Sequence, residues 1–138
     1  RQQVIDYMES DSFAKALGIK LEELDEGYSR YSVKVQPGQR NFHGTTHGGL
    51  IFTLGDMAFA AACNSRGQTS FGLNVDVSYL KASMVGDTLI AEAKEISLNG
   101  PIALYEITVK NADSEDLIAQ FQAMAYRKKD YFVEIGEK

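Results

Sequence analysis

Residues Asn41–Asn64 read NFHGTTHGGLIFTLGDMAFAAACN, and the fold of the chain turns on this stretch. It opens with polar, turn-prone residues, passes through His47-Gly48-Gly49, and then runs apolar for more than a dozen positions with Asp56 as its one charge. Leu50, Phe52, Leu54, Met57 and the alanine-rich block from Ala58 to Ala62 are mostly good helix formers. The run is also too long for an ordinary strand. It predicts one helix over about residues 47–66. Apolar residues fall on every side of that helix, so it should be central and wrapped by other structure. A carboxylate inside a buried helix is costly unless it is paired, hydrated or used. The question of function therefore starts at Asp56.

Working outward toward the N-terminus, residues 2–17 look helical, with Val4, Ile5, Met8, Phe13 and Leu17 as apolar contacts. Asp11 or Ser12 can cap a second short helix that Gly18 ends. Residues 19–25 and 28–35 read as two strands joined at Glu26-Gly27, and the second alternates with period two. Pro37-Gly38 stops it.

Beyond the long helix, Gly67 is a natural stop, with Arg66 in the last turn where a cation is favoured. Phe71, Leu73, Val75, Val77 and Tyr79 then alternate with Gly72, Asn74, Asp76 and Ser78, a strand with one apolar and one polar face. Gly86-Asp87 leads into a strand to Leu98, and Asn99-Gly100 is a strong hairpin signal before the next strand to Asn111. A last strand carries Leu117, Ala119, Phe121, Ala123 and Ala125 at every second position. The tail from Lys128 shows no clear core role. The predicted class is α+β, a curved antiparallel sheet around one long central helix. The uncovered face and edges of that sheet would be covered most economically by a second copy of the chain.

Length and composition set bounds. The 138 residues fit one domain, 1–138, able to bury a core without disulfides or metals. A net charge of −5 argues against a nucleic-acid partner, because phosphate binding needs a concentrated basic surface. The single Cys63 rules out an intrachain disulfide framework and suits a reducing compartment. No signal peptide is evident, and the apolar run is too short and too interrupted by Gly and Asp to span a bilayer. The expectation is a cytoplasmic protein with no membrane partner.

Asp56 has Phe52, Thr53, Phe59 and Ala60 as helical neighbours, so its surroundings are apolar but for one hydroxyl. It is either a functional acid or a structural one that caps a loop or pairs with a buried arginine. In His47-Gly48-Gly49, two glycines opening a helix leave N–H groups unobstructed at its positive end, as an anion or a developing oxyanion requires. Equally, those glycines can serve close packing. His43 and His47 stand four apart, but Gly44 lies between them and no third ligand follows, so no metal is expected. Cys63 reads as a small core residue. Asn74 and Lys81 read, by themselves, as surface residues.

Spacing adds a constraint. Gly48 and Asp56 would lie about 12 Å apart along one helix, whereas a donor and a base acting on one carbonyl must converge within about 3 Å of a common point. Either the two features are unrelated, or a site combines Gly48 of one chain with Asp56 of another, as a two-fold dimer with antiparallel helices allows.

The run Asn41-x5-His47-Gly48-Gly49-x2-Phe52-x-Leu54-x-Asp56-x2-Phe59-Ala60-x2-Cys63-Asn64, with Asn74-Val75-Asp76-Val77-Ser78-Tyr79-Leu80-Lys81 and Gly86-Asp87 downstream, resembles the hotdog-fold acyl-CoA thioesterases. The phenylacetate-degradation subgroup is the most similar, and the likeness covers about residues 12–128. It implies a long helix wrapped by a curved antiparallel sheet, shared active sites in a homodimer, and dimers pairing into a homotetramer. By position it implies Asp56 as the acid that activates water or attacks directly, and Gly48 N–H with Asn41 as donors to the thioester oxygen. Asn74 falls where relatives often place a Ser or Thr that positions water. The resemblance also implies His47 and Gly49 as substrate-binding residues, and Lys81 matches a position near the coenzyme A phosphates.

The implied activity is hydrolysis of an aryl-acyl or short- to medium-chain acyl-CoA without metal or cofactor. The alternatives are a hotdog module that binds acyl-CoA or an acyl carrier without turnover, and a dehydratase of the same fold using a His–acid pair.

Overall fold

The computed structural model describes residues 1–133. Two short helices, α1 (Gln2–Glu9) and α2 (Ser12–Leu17), precede strands β1 (Lys20–Asp25) and β2 (Tyr28–Lys34). A 3₁₀ turn (Pro37–Gln39) and a loop lead to α3 (Gly48–Cys63), followed by β3 (Gln68–Tyr79), β4 (Thr88–Asn99), β5 (Ile102–Asn111) and β6 (Leu117–Tyr131). The six strands form one antiparallel sheet in the order β1-β2-β4-β5-β6-β3, which puts β3 on an edge. This is the α+β hotdog arrangement, with α3 lying against the sheet.

Local chemistry sets the boundaries. The Asp11 carboxylate accepts from Ala14 N–H at 2.9 Å and caps α2, which Gly18 closes at φ 79°. Gly18 can take this left-handed conformation because it lacks a Cβ. His47 is the N-cap of α3, and Asn64 ends it, its amide donating to the carbonyls of Ala60 (2.8 Å) and Ser70 (3.0 Å).

The sheet presents small residues to the helix. Ala91, Ala93, Ala103, Ala119, Ala123 and Ala125 are buried, so Leu54, Ala58, Ala61 and Ala62 pack close to the strands. Each fully buried large apolar side chain contributes about 1.5–3 kcal/mol. At Gly55 the approach is closest: a Cβ there would come within 2.6 Å of Phe121 Cε1. A mid-helix glycine costs about 0.5–1 kcal/mol of helix stability, and here it makes room for that ring.

Two elements differ from the sequence pattern. A register shift between Gly72 and Asn74 breaks the alternation of β3. Phe71 therefore stands opposite Tyr126, rings 5.8 Å apart, while Val75 and Val77 pack on the core. Gly72 takes the place opposite Phe59, where a Cβ would lie 3.0 Å from the ring. The β6 strand runs on to Tyr131, where it pairs with Gln68, so backbone pairing rather than burial organises Lys128–Asp130. Ten of the 16 residues of α3 are buried. The rest include a stripe, Gly49, Thr53, Asp56 and Ala60, that this chain leaves partly open, so the helix is not wrapped all round.

Candidate active site

The loop before α3 is tied down at several points. Asn41 Oδ1 accepts from the N–H groups of His43 (2.9 Å) and Thr45 (3.1 Å), and its Nδ2 donates to Thr45 Oγ1 at 2.9 Å. Gly44 supplies the turn with φ 87°. Thr46 N–H donates to the Ser83 carbonyl at 2.9 Å, and the buried Ser83 hydroxyl donates to Thr46 Oγ1 at 2.7 Å. Asn41 therefore organises this loop first. Its oxygen is doubly engaged, and of its two amide hydrogens one is bound to Thr45.

An α-helix begins with N–H groups that lack intrahelical partners, and here nearly all of them are satisfied. His47 N–H donates to the Gln39 carbonyl at 2.8 Å. Gly49 N–H donates to His47 Nδ1 at 2.8 Å, which makes Nδ1 the acceptor nitrogen of that ring. Leu50 and Ile51 N–H both donate to the His47 carbonyl, at 3.0 and 3.3 Å. Gly48 N–H has no acceptor among the described residues. One free amide is thus left at the positive end of the helix, where a partial negative charge is stabilised.

That amide borders a crevice of about 340 Å³ shared by Asn41, Thr45, Gly48, Ile51, Tyr79 and Lys81. The structure therefore brings Asn41, Gly48 and Lys81 to one place, with His47 and Gly49 adjoining. Lys81 Nζ pairs with Asp116 at 2.8 Å on the exposed rim. Tyr79, which the sequence offers with Phe42, Phe52 and Phe59 as either the lining of an aromatic-friendly pocket or plain core, packs its ring on Gly48 at the crevice.

Asp56 lies two turns further along α3, half-buried, and makes no hydrogen bond or ion pair with any described residue. Thr53, one turn before it on the helix, donates instead to the Gly49 carbonyl at 2.8 Å. Burial, and then the negative charge of Asp11, push the Asp56 carboxyl above the usual carboxylate range. It is an uncapped, unpaired acid on the open stripe of the helix. Asn74 is exposed on edge strand β3, opposite Met124, and touches neither Asp56 nor Gly48 through a hydrogen bond.

Other candidates resolve into the core or the loop. Phe59 is buried, with its ring 5.6 Å from that of Tyr105, and Phe52 lies 5.9 Å from Phe121. Phe42 is 93% exposed, with its ring 4.2 Å from that of His43. Cys63 is buried, and burial followed by the charge of Asp56 pushes its thiol up to about 12, so it is protonated at neutral pH. Among the described residues no helix is long and apolar enough to cross a membrane.

Residues 43–118 match the family model of the thioesterase superfamily. The chain is 37% identical to a protein of Archaeoglobus fulgidus that carries a provisional description as an esterase, over 95% of this chain and 85% of that one. It is 34% identical to the acyl-coenzyme A thioesterase PaaI of Escherichia coli, over 86% of this chain and 84% of that one. The structure of the E. coli PaaI protein from the phenylacetic acid degradation operon superimposes with a TM-score of 0.90 at 32% identity, covering 94% of both chains.

Proposed function

Since the chain belongs to the thioesterase superfamily and is a thioester hydrolase, we propose that it hydrolyses acyl-coenzyme A to the free acid and coenzyme A, in a site shared by two copies of the chain. The observation that carries this reading is that one helix carries an amide, Gly48 N–H, and an acid, Asp56, neither of which has a partner among the described residues. They are too far apart to act on one carbonyl: eight residues span about 12 Å.

Two copies related by a two-fold axis bring the Gly48 end of one helix to the Asp56 of the other and create two equal sites. The open stripe on α3 and the long edge strand β3, with Phe71, Leu73 and Tyr79 exposed, are the surfaces such a pairing would cover. A further apolar group on the outer sheet face (Ile96, Ile102, Met124 and Tyr126) supports pairing of dimers into a tetramer.

The thioester carbonyl oxygen accepts from Gly48 N–H, with the remaining Asn41 amide hydrogen within the same crevice. Charge that develops on this oxygen in the transition state is stabilised by a donor already in place. Asp56 of the second copy takes a proton from water, and the resulting hydroxide attacks the carbonyl carbon. Collapse of the tetrahedral adduct breaks the C–S bond, and the proton held by Asp56 passes to the departing thiolate. The raised basicity of Asp56 suits it to this role. Asn74 would orient the water, an assignment that rests on the resemblance alone. Lys81 would meet the coenzyme A phosphates by exchanging its Asp116 partner. Phe52, which packs against the core one turn before Asp56 and stays half-exposed, would be the aromatic that meets an aryl-acyl group.

The test is free-thiol release from a panel of aryl-acetyl, aroyl and short- to long-chain aliphatic acyl-CoA, with Asp56→Asn as control. Hydrolysis abolished in the control supports the reading, whereas binding without turnover would make the chain a non-catalytic acyl-CoA module. Single-turnover hydrolysis in ¹⁸O-water tests the direct role of Asp56: label entering its carboxylate marks attack through an anhydride.

A further inference from the structure

The peptide unit that joins Gly48 to Gly49 is held at both ends by side chains. Its N–H, that of Gly49, donates to His47 Nδ1 at 2.8 Å. Its carbonyl, that of Gly48, accepts from the Tyr79 hydroxyl at 3.4 Å across 31 residues of sequence. The Tyr79 ring also lies on the Gly48 Cα, with Cε1 and Cζ each 3.7 Å from the point a Cβ would occupy. Tyr79 is itself fixed. It pairs with Ala119 on β6, and the next two residues, Leu80 and Lys81, both donate their N–H groups to the Ile118 carbonyl, at 2.8 and 3.2 Å.

Two consecutive glycines have the widest backbone freedom of any pair, and an amide that must meet a developing oxyanion needs a fixed direction. We propose that Tyr79 is a positioning residue for the thioester-binding amide. The peptide that carries Gly48 N–H is held through the His47 carbonyl, which accepts from Leu50 and Ile51 N–H. Tyr79 holds the peptide on the other side of the Gly48 Cα by gripping its carbonyl while His47 grips the Gly49 N–H. The glycine between them is thereby fixed, and its N–H keeps one direction into the crevice. The inference rests on the thioesterase reading of that crevice and adds to it a residue that does not touch the reacting atoms. At 3.4 Å the hydroxyl contact is longer than an ordinary O–H···O bond, so the packing of the ring on Gly48 carries part of the hold. The exposed half of the ring forms one wall of the crevice.

The test compares Tyr79→Phe, which keeps the ring and removes the hydroxyl, with Tyr79→Ala, which removes both. Each is assayed for kcat and KM on the best acyl-CoA of the panel and for backbone amide exchange by NMR. Tyr79→Phe is expected to lower kcat about 2- to 10-fold with KM unchanged, the size of one hydrogen bond used in the transition state. Tyr79→Ala is expected to lower kcat further and to speed exchange at Gly49. Wild-type kcat in Tyr79→Phe together with unchanged Gly49 exchange in Tyr79→Ala overturns the inference. So does a loss in Tyr79→Phe that appears in KM alone. If wild-type protein hydrolyses the panel and Asp56→Asn does not, such a result leaves the thioesterase reading standing. If wild-type protein hydrolyses nothing, both fall together.

Discussion

The amide of Gly48 and the carboxylate of Asp56 belong to one helix, two turns apart, and neither has a partner among the described residues. The first sits at the helix start between satisfied neighbours. The second faces out from a stripe that the sheet does not cover.

Gly48 is the first residue of α3, and His47 before it is extended at φ −62°, ψ 133°. Proline is tolerated at such a position and after such a residue. Gly48→Pro therefore deletes the free N–H while leaving the helix in place. The expected result is a fall in kcat of about 10²- to 10³-fold, as for loss of one oxyanion donor, with circular dichroism unchanged. Mixing Gly48→Pro chains with Asp56→Ala chains, after subunit exchange, should restore about one quarter of wild-type activity, since half the dimers are mixed and each carries one intact site. Exchange without recovery would exclude a shared site.

Asp56→Asn should raise stability at neutral pH while it removes activity. Burial and the charge of Asp11 raise the folded-state pKa, so the folded chain holds this proton more tightly than the unfolded one. Stability is therefore lost as pH rises from the unfolded value, about 3.9, through the raised folded value. The amide avoids that loss: its Tm should exceed that of wild type at pH 7, and the two should converge near pH 3. Loss of the base should lower kcat by about 10²- to 10⁴-fold. A variant less stable than wild type at pH 7 would argue that Asp56 is structurally paired.

Gly55→Ala should destabilise the fold in spite of the better helix propensity of alanine. The added methyl would overlap the Phe121 ring, which packs under the helix and is only 1% exposed. Overpacking of this kind costs about 1–3 kcal/mol. Urea unfolding gives the answer, and an unchanged midpoint would mean that β6 yields freely.

At the far end of α3, Arg66 donates twice to Glu95, at 2.8 and 3.2 Å, and the Tyr105 hydroxyl donates to the same carboxylate at 2.9 Å. Burial works against ionisation of Glu95, but these hydrogen bonds outweigh it and hold its pKa below the ordinary value. The stabilisation is present above the unfolded pKa, about 4.3, and is lost as pH falls through the folded value. Arg66→Met should cost about 2 kcal/mol at pH 7. The gap between variant and wild type in urea unfolding should narrow toward pH 3, and a gap independent of pH would point to lost packing instead.

Much of the architecture was legible because it is written in local pattern. The long apolar run could only be a helix, the Asn99-Gly100 turn is a hairpin with Gly100 at φ 62°, and the period-two apolar positions of β6 are the ones buried. The β3 pattern misled because one extra residue at the Gly72–Asn74 bulge exchanges the faces of a strand. The β6 extension past Lys128 was illegible because edge pairing needs no apolar side chain.

The sequence by itself determined that one helix would carry both an amide-rich start and a lone acid, and that eight residues of helical rise would keep them from one substrate. Only the tertiary structure decided which amide is free, since that depends on the His47 ring turning back to Gly49 and on the Gln39 carbonyl capping His47 N–H. It also decided that Asn41 first serves its own loop, and that Tyr79 stands over Gly48. Tyr79 and Gly48 are 31 residues apart. Periodicity and propensity report how a residue sits within its own element, whereas that contact arises from how β3 crosses the start of α3.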